Sequence, residues 1–338
     1  MRHLLNTLYV TDPLMYLSIE NENIVVWSDR EVVGKFPLHL FQSIVCFGCK
    51  GMSPALMGRC VDENIYISLH NLYGGFEASV IGNVPGNVIL RRSQYRLADN
   101  DSSLDVAKDM IKAKILNQRA VLRRYKRDYE VTERFNTSLS GIDNCLNLIG
   151  NVNDKSELIG VEGKAADFYF NSFNEMIRQD IDKPFTGRNR RPPLDPINAM
   201  LSFFYTILAS DISSACLSVG LDPYVGLLHC DRSGRRSLAL DLEEELRAYF
   251  VDRFVLNQVN RKQIKSQDFD YDIAGACLIN SNARKKMLSN WQKRKQQMII
   301  HPFLGEKVEI GLIPYVQANL LARYIRGELD RYPAFLWK

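Results

Sequence analysis

The sequence of 338 residues lacks any run approaching the ~18 consecutive apolar residues that a membrane span needs. Its opening segment, MRHLLNTLYVTDPLMYLS, has neither a continuous apolar core nor a small-residue cleavage site. No export signal is therefore expected, and the chain is expected in the cytoplasm. Seven cysteines, odd in number and scattered, provide no disulfide framework and read as reduced thiols. The pair in CFGC, Cys46 and Cys49, has zinc-knuckle spacing, but no second such pair comes after it, and Cys60 and His70 would complete a site only by chance. There is no GxxxxGK[ST] and no strand-coupled GxGxxG, so binding of a nucleoside triphosphate or a dinucleotide has no motif behind it. A Ser or Cys nucleophile lacks a signature too: Cys230 abuts His229, and adjacent residues rarely make a working pair.

The composition is that of an ordinary folded protein, 46% hydrophobic, 10% aromatic and 24% charged. That excludes a disordered chain or a collagen-like repeat, and the length favours two domains over one. The net charge of +4 is modest, so clustering matters more than the sum. Lys108, Lys112, Lys114, Arg119, Arg123, Arg124, Lys126 and Arg127 crowd one segment against a single acid, Asp109. A second cluster, Lys183, Arg188, Arg190 and Arg191, sits in a loop punctuated by Pro and Gly, and a third runs through Arg284, Lys285, Lys286, Lys293, Arg294 and Lys295. Each alone reads as a solvated face; three in one chain point towards a polyanion.

The hydrophobic period changes along the chain. Short apolar or alternating runs (MYLSI, NIVVWS, IYISL, ASVIG, NVILRR) separated by turn residues fill the first ~95 residues and read as strands. In IYISL, Ile65, Ile67 and Leu69 share one face. LADNDSSLD is a turn-rich break, where Ser103 or Asp105 could cap a helix starting there. Beyond it Val106, Met110 and Lys114, with Ile111, Ile115 and Leu122, recur at helical spacing, and helical patterns continue to the end, broken near 150–158, 183–196, 219–237 and 301–307. The expected fold is α+β: a β-rich N-terminal domain over 1–97, sandwich-like, a linker over 98–104, and a larger all-α domain over 105–338.

Of five histidines, His229 stands apart. In GLDPYVGLLHCDRSGRRSLALDLEEELR an apolar stretch, Val225 to Leu228, delivers it to a polar turn. A helix carrying Asp241, Glu244 and Glu245 in its first turn is expected next, with Asp241 and Glu244 three apart on one face. Two acids at a helix N-terminus are also what the macrodipole favours without any function. Glu162 lies between Ile159 and Val161 on one side and the small residues Gly163, Ala165 and Ala166 on the other. Such residues at a helix start allow close backbone approach; the plain alternative is a solvent-facing first-turn acid. Together Glu162, His229 and Asp241 would supply two hard oxygens and one imidazole, a set suited to Mg²⁺ or Mn²⁺.

Three segments, VEGKAADFYF, RNRRPPLDPINAMLSFFYTIL and GLDPYVGLLHCDRSGRRSLALDLEEELR, in that order, closely resemble the CRISPR-associated adaptation integrases, the first-numbered Cas proteins. The likeness spans essentially the whole chain, and with the aromatic C-terminus YPAFLWK it is similar to the branch found in type I-C systems. It implies a β-rich domain that carries a homodimer contact and an α-helical catalytic domain. It places the family's metal-binding Glu, His and Asp on Glu162, His229 and Asp241, and a further acid on Glu244, which reaches the metal directly or through water. The implied activity is integration: a 3′-OH of a protospacer duplex attacks a phosphodiester of a CRISPR repeat, with DNA cleavage as a side or reverse reaction. The implied partners are double-stranded DNA and a small ferredoxin-like second adaptation protein. Arg123, Arg124, Arg188, Arg190, Arg191, Lys285 and Lys286 are the candidate DNA contacts, because lysine and arginine offset phosphate without reading sequence. Two other readings stay open on the residues alone: an inactive DNA-binding scaffold, and a metal-dependent hydrolase of small phosphoesters.

Overall fold

The computed structural model describes residues 6–82, 87–179, 181–189 and 192–337; Arg190 and Arg191 lie outside them. In chain order the elements are β1 (Thr7–Val10), β2 (Met15–Glu20), β3 (Asn23–Ser28), β4 (Glu31–Pro37), β5 (Ser43–Phe47), β6 (Gly51–Met52), α1 (Pro54–Asp62), β7 (Tyr66–His70) and β8 (Phe76–Val80). Next come α2 (Val88–Ala98), α3 (Ser103–Asp128), α4 (Glu133–Leu148), α5 (Lys155–Phe173), α6 (Pro196–Ser218), α7 (Ser237–Arg247) and α8 (Arg253–Asn260). The last are β9 (Phe269–Tyr271), β10 (Cys277–Ile279), α9 (Ser281–Lys295), β11 (Met298–Ile300), β12 (Lys307–Glu309) and α10 (Ile313–Ile325).

Two compact units divide the chain. The strand-rich one takes residues up to 82 together with Ile279–Ile299 and Val308–Leu312, so the basic helix α9 groups with strands far from it in sequence. Its two four-stranded sheets run β1-β5-β7-β8 and β4-β3-β2-β6. Two-residue turns join β2 to β3 and β3 to β4: Asn21 and Glu22, then Asp29 and Arg30, all take positive φ, the backbone that matches the twist of paired strands. One core serves both sheets, with Leu17, Ile24 and Val26 from one, Val10, Ile44, Cys46 and Ile67 from the other, and Leu56 and Cys60 from α1. The sandwich expected from alternation results, since each sheet buries one face on the other. His70 is internal, its ring nitrogens 3.2 Å from Gly74 O and from Ser68 Oγ.

The second unit, residues 87–278 with 300–307 and 313–337, is helical, with β9 and β10 as a short pair. NVILRR, expected as a strand, instead opens α2. Asn87 Oδ1 caps it by accepting from Leu90 N at 3.2 Å, and the apolar Val88 and Ile89 that suggested a strand are exposed. Helix α6 is apolar almost all round. By length and composition it could cross a membrane, and 67% of its apolar window is buried within the protein.

The C-terminal segment straps this unit. Asn117 of α3 donates to Phe335 O and to Glu245 O and accepts from Trp337 N. Glu245, fully buried, accepts from Tyr332 Oη at 2.6 Å, Phe335 N at 2.8 Å and Gln317 Nε2 at 3.0 Å. Burial lifts its carboxyl from 4.5 to about 7 despite these donors. Burial likewise raises Asp252 from 3.8 to about 6, against the hydrogen bonds from Tyr205 and Tyr169. Both groups prefer the neutral form when folded. Their contribution to stability is full below about 4, where folded and unfolded chains are both protonated, and is lost as pH rises to about 7. Melting curves of the wild type and Glu245→Gln between pH 4 and 8 should show a shallower decline in the variant over pH 4.5–7.

Candidate active site

The site is built on α7 and the loop before it. Helix α7 starts at Ser237, so Asp241 and Glu244 lie in its second turn rather than its first. Its opening N–H groups are satisfied by Pro223 O, which accepts from Leu238 N at 3.0 Å and Ala239 N at 3.4 Å. Asp241, with no exposure, folds the preceding loop onto itself. Its Oδ2 accepts from Leu227 N (2.6 Å) and Leu228 N (2.9 Å), and its Oδ1 accepts from His229 N (3.1 Å) and lies 2.6 Å from His229 Nδ1. The carboxylate thus fixes both the backbone and the ring of His229. Gly226 makes this possible: a Cβ there would sit 2.7 Å from His229 O and 2.9 Å from Asp241 Oδ2.

Glu162 is the eighth residue of α5, in the helix body and not at its start. It meets Glu244 through a residue that belongs, by sequence, to the basic cluster. The Lys114 ammonium, on α3, is ion-paired with Glu162 Oε1 and, at 2.5 Å, with Glu244 Oε2. Lys114 stays charged there: burial lowers its pKa, but Glu244 and Glu162 more than reverse that. Glu244 Oε1 is also 2.6 Å from Arg247 Nη1, and Arg247 Nη2 is 3.0 Å from Glu243 Oε2. Burial would raise the Glu244 carboxyl, yet Arg247 and Lys114 outweigh it and bring it down to about 2. His229 is close enough to add to that lowering. Glu162 and His229 keep 22% and 21% of their side chains exposed, against 6% for Lys114, 5% for Glu244 and none for Asp241. The exposed pair forms the mouth of the site and the rest its floor.

The structure therefore joins His229 to Asp241 and Glu162 to Glu244, with Lys114 between the two glutamates. Among the described residues, no group of three or more His, Cys, Asp and Glu side chains is set to hold a metal ion as it stands. Sequence reasoning missed Lys114, Arg247 and Gly226. A signal for the first existed: Lys114 falls at the spacing of Val106 and Met110, a lysine on an apolar stripe. Arg247 stood three and four residues after Glu244 and Glu243, within helical reach of both.

The basic clusters divide on inspection. Arg123, Arg124, Lys126 and Arg127 are exposed on α3, but Lys114 is buried, and Arg119 and Arg123 share Asp143, at 2.7 and 3.4 Å. Arg188 donates to Asn198 Oδ1 at 2.6 Å and lies 5.4 Å from the Tyr205 ring centre. On α9, Lys285 and Lys286 are exposed, whereas Arg284 and Lys295 are buried, Arg284 6.0 Å from the Phe47 ring centre. The third cluster is thus partly an internal one.

The fold is thus α+β, with a helical unit that carries a carboxylate–imidazole pair and exposed arginines. Comparison gives the family. The sequence pattern described as CRISPR associated protein Cas1 matches residues 8–293. CRISPR-associated endonuclease Cas1 2 of Rhodospirillum rubrum is 48% identical over 346 residues, and Cas1 1 of Chlorobaculum tepidum is 44% identical over 343, each covering 100% of both chains. Among solved structures, a casposase bound to integration product superposes with a TM-score of 0.84 over 98% of this chain and 94% of that one. At 21% identity, that likeness is one of fold. The chain belongs to the Cas1 family of CRISPR-associated endonucleases.

Adding the missing Cβ at Gly226 tests the loop that presents His229. Gly226→Ala should cost about 1–3 kcal/mol, since the neighbours it meets are backbone and a committed carboxylate. Thermal unfolding of the variant checks this, with Gly163→Ala, where nothing lies within 4 Å, as the control.

Proposed function

We propose that this chain is a divalent-metal-dependent DNA endonuclease and integrase of CRISPR adaptation, and that Glu162, His229 and Glu244 hold the ion. The observation that carries this is the pairing of Glu162 and Glu244 on one buried ammonium, beside an imidazole that Asp241 orients and that lies near enough to lower the Glu244 carboxyl. The donor set fits Mg²⁺ or Mn²⁺, two hard oxygens and one nitrogen. The sequence pattern alone gave the ion to Asp241. Its hydrogen bonding favours another role, because both oxygens already serve the 227–229 backbone and His229 Nδ1. A carboxylate behind a histidine sets the tautomer and turns the other nitrogen, Nε2, into the donor atom, the usual arrangement behind metal-bound imidazoles. Glu244, kept ionised by Arg247 and Lys114, is the acid left to complete the set.

An ion there would polarise the scissile phosphate and stabilise the charge that develops in an in-line displacement. The chain's own residues do the positioning. Asp241 and Gly226 hold the loop that carries His229, and Glu162 faces the mouth where DNA enters. A 3′-OH as nucleophile gives integration and water gives cleavage, so one centre serves both outcomes. Integration of two ends at a fixed spacing needs two such centres at fixed separation, which a symmetric homodimer supplies. A small ferredoxin-like second adaptation protein is the partner this reading expects between two dimers. Likeness over the whole length, including YPAFLWK, supports the type I-C branch.

Exposed Arg123, Arg124, Lys285 and Lys286, with Arg188 near the site, are the proposed phosphate contacts. Arg123→Ala with Arg124→Ala should lower the slope of log affinity for duplex DNA against log salt by up to about 2, one per lost phosphate contact. Titrations at several salt concentrations measure this, and an unchanged slope would give that face of α3 to solvent or another protein.

The activity test is direct. The protein, with its small partner, is incubated with a fluorescent 3′-OH duplex and a plasmid carrying a repeat, in EDTA, Mg²⁺ or Mn²⁺. Label should join the plasmid only with metal, and not with His229→Ala or Glu244→Gln. Joining that persists in both variants would sink the assignment of the site.

A further inference from the structure

Lys114 is an unusual floor for an acidic centre. Its ammonium lies between the two glutamates that the proposed function gives to an ion, with only 6% of the side chain exposed. Helix α3 fixes its stem, with Ala113 and Ile115 buried on either side and Asn117, one turn on, tied to the C-terminal strap. The second oxygen of Glu244 belongs to Arg247. Both glutamates are thus neutralised by the chain itself, and among the described residues no group of three or more His, Cys, Asp and Glu side chains stands ready for an ion.

We propose that Lys114 is the chain's internal stand-in for the divalent ion, and that ion and ammonium exclude each other at the bridge between Glu162 and Glu244. The inference rests on the metal assignment above. A divalent ion placed on the same two carboxylates with the ammonium still between them would set like charges within a few ångströms in a poorly solvated floor, where their repulsion is weakly screened. Loading therefore requires the Lys114 side chain to leave the bridge. The consequences are opposite for stability and affinity. Without metal the lysine keeps the buried Glu244 and the half-buried Glu162 paired and the fold intact; with metal it is a competitor, so the free protein binds the ion weakly. Once displaced, the ammonium needs another anion, and the phosphate of an incoming DNA strand has the right charge. Metal and DNA would then bind more tightly together than either alone.

The test is Mn²⁺ binding to the purified full-length protein, without DNA, monitored by the electron paramagnetic resonance of free Mn²⁺. Wild type, Lys114→Met, Glu162→Gln and Glu244→Gln are compared. Lys114→Met should bind Mn²⁺ at least about tenfold more tightly than wild type. It should also melt lower in EDTA and regain more of its melting temperature on adding Mn²⁺ than wild type gains. Glu162→Gln and Glu244→Gln should bind more weakly than wild type. If those two bind as wild type does, the metal assignment itself fails. If they weaken while Lys114→Met binds no more tightly than wild type, the assignment stands and the exclusion is overturned. A second measurement needs no variant: acetylation of wild-type Lys114, read by peptide mass spectrometry, should rise when Mn²⁺ is added. Labelling that Mn²⁺ leaves unchanged would overturn the proposal even if Lys114→Met does not fold.

Discussion

A lysine ammonium withdrawn from water must be surrounded by anions, and the centre of this protein is arranged around that requirement. Lys114 loses its hydration on α3 and regains charge compensation from Glu162 on α5 and Glu244 on α7. Three helices separated by many residues are thereby held by one polar contact in the middle of their packing. An unpaired charge at that depth would cost several kcal/mol, so the contact constrains which way α5 and α7 face α3. Glu162 is the more exposed end of that contact, and on the reading proposed above it is the end that faces the substrate phosphate. The burial is graded along the contact, from Lys114 and Glu244, nearly closed, to Glu162, which is partly open.

The run Glu243-Glu244-Glu245 shows how a helix sorts identical side chains. Successive residues on a helix point about 100° apart, so three neighbouring acids face three surroundings. Glu243 turns to Arg247, Glu244 to Arg247 and Lys114, and Glu245 to Tyr332, Gln317 and the Phe335 amide. All three are buried. Their ionisation nonetheless diverges: two cations hold Glu244 down at about 2, whereas Glu245, which meets only neutral donors, rises to about 7. One acid remains a carboxylate while its neighbour, raised to about 7, becomes an anchor for the C-terminal strap.

Much of this was legible in the sequence, for physical reasons. Alternation in IYISL and the turn residues around Asn21 and Asp29 signalled strands because a pleated sheet with one buried face imposes a period of two. The spacing of Val106, Met110 and Ile111 signalled α3 in the same way. The strand assigned to NVILRR failed because β-branched residues at 88 and 89 were weighed above the Asn87 cap, and the cap won. His229 was conspicuous by its setting, and Glu162 and Glu244 by their motifs. Lys114 was hidden by its neighbours: counted among eight basic residues, it looked like surface, although its register with Val106 and Met110 already put it inside. The role of Gly226 was invisible, because a glycine needed for close approach at ordinary φ leaves no signature in composition.

Asp241 and Glu244 show what their surroundings add to residue type in the choice of a ligand. By type, Asp241 and Glu244 are equivalent: both are acids, three apart, on one helix face. Their surroundings make them different. Asp241 is held by three N–H donors and an imidazole from a single short loop, so drawing it to an ion would unmake the loop that presents His229. Glu244 is held only by side-chain cations, which are exchangeable for another cation without disturbing any backbone. An acid whose partners are backbone amides is part of the scaffold; an acid whose partners are charges is available to a stronger charge. On the reading proposed above, that distinction, rather than proximity alone, separates the acid that orients from the acid that would bind.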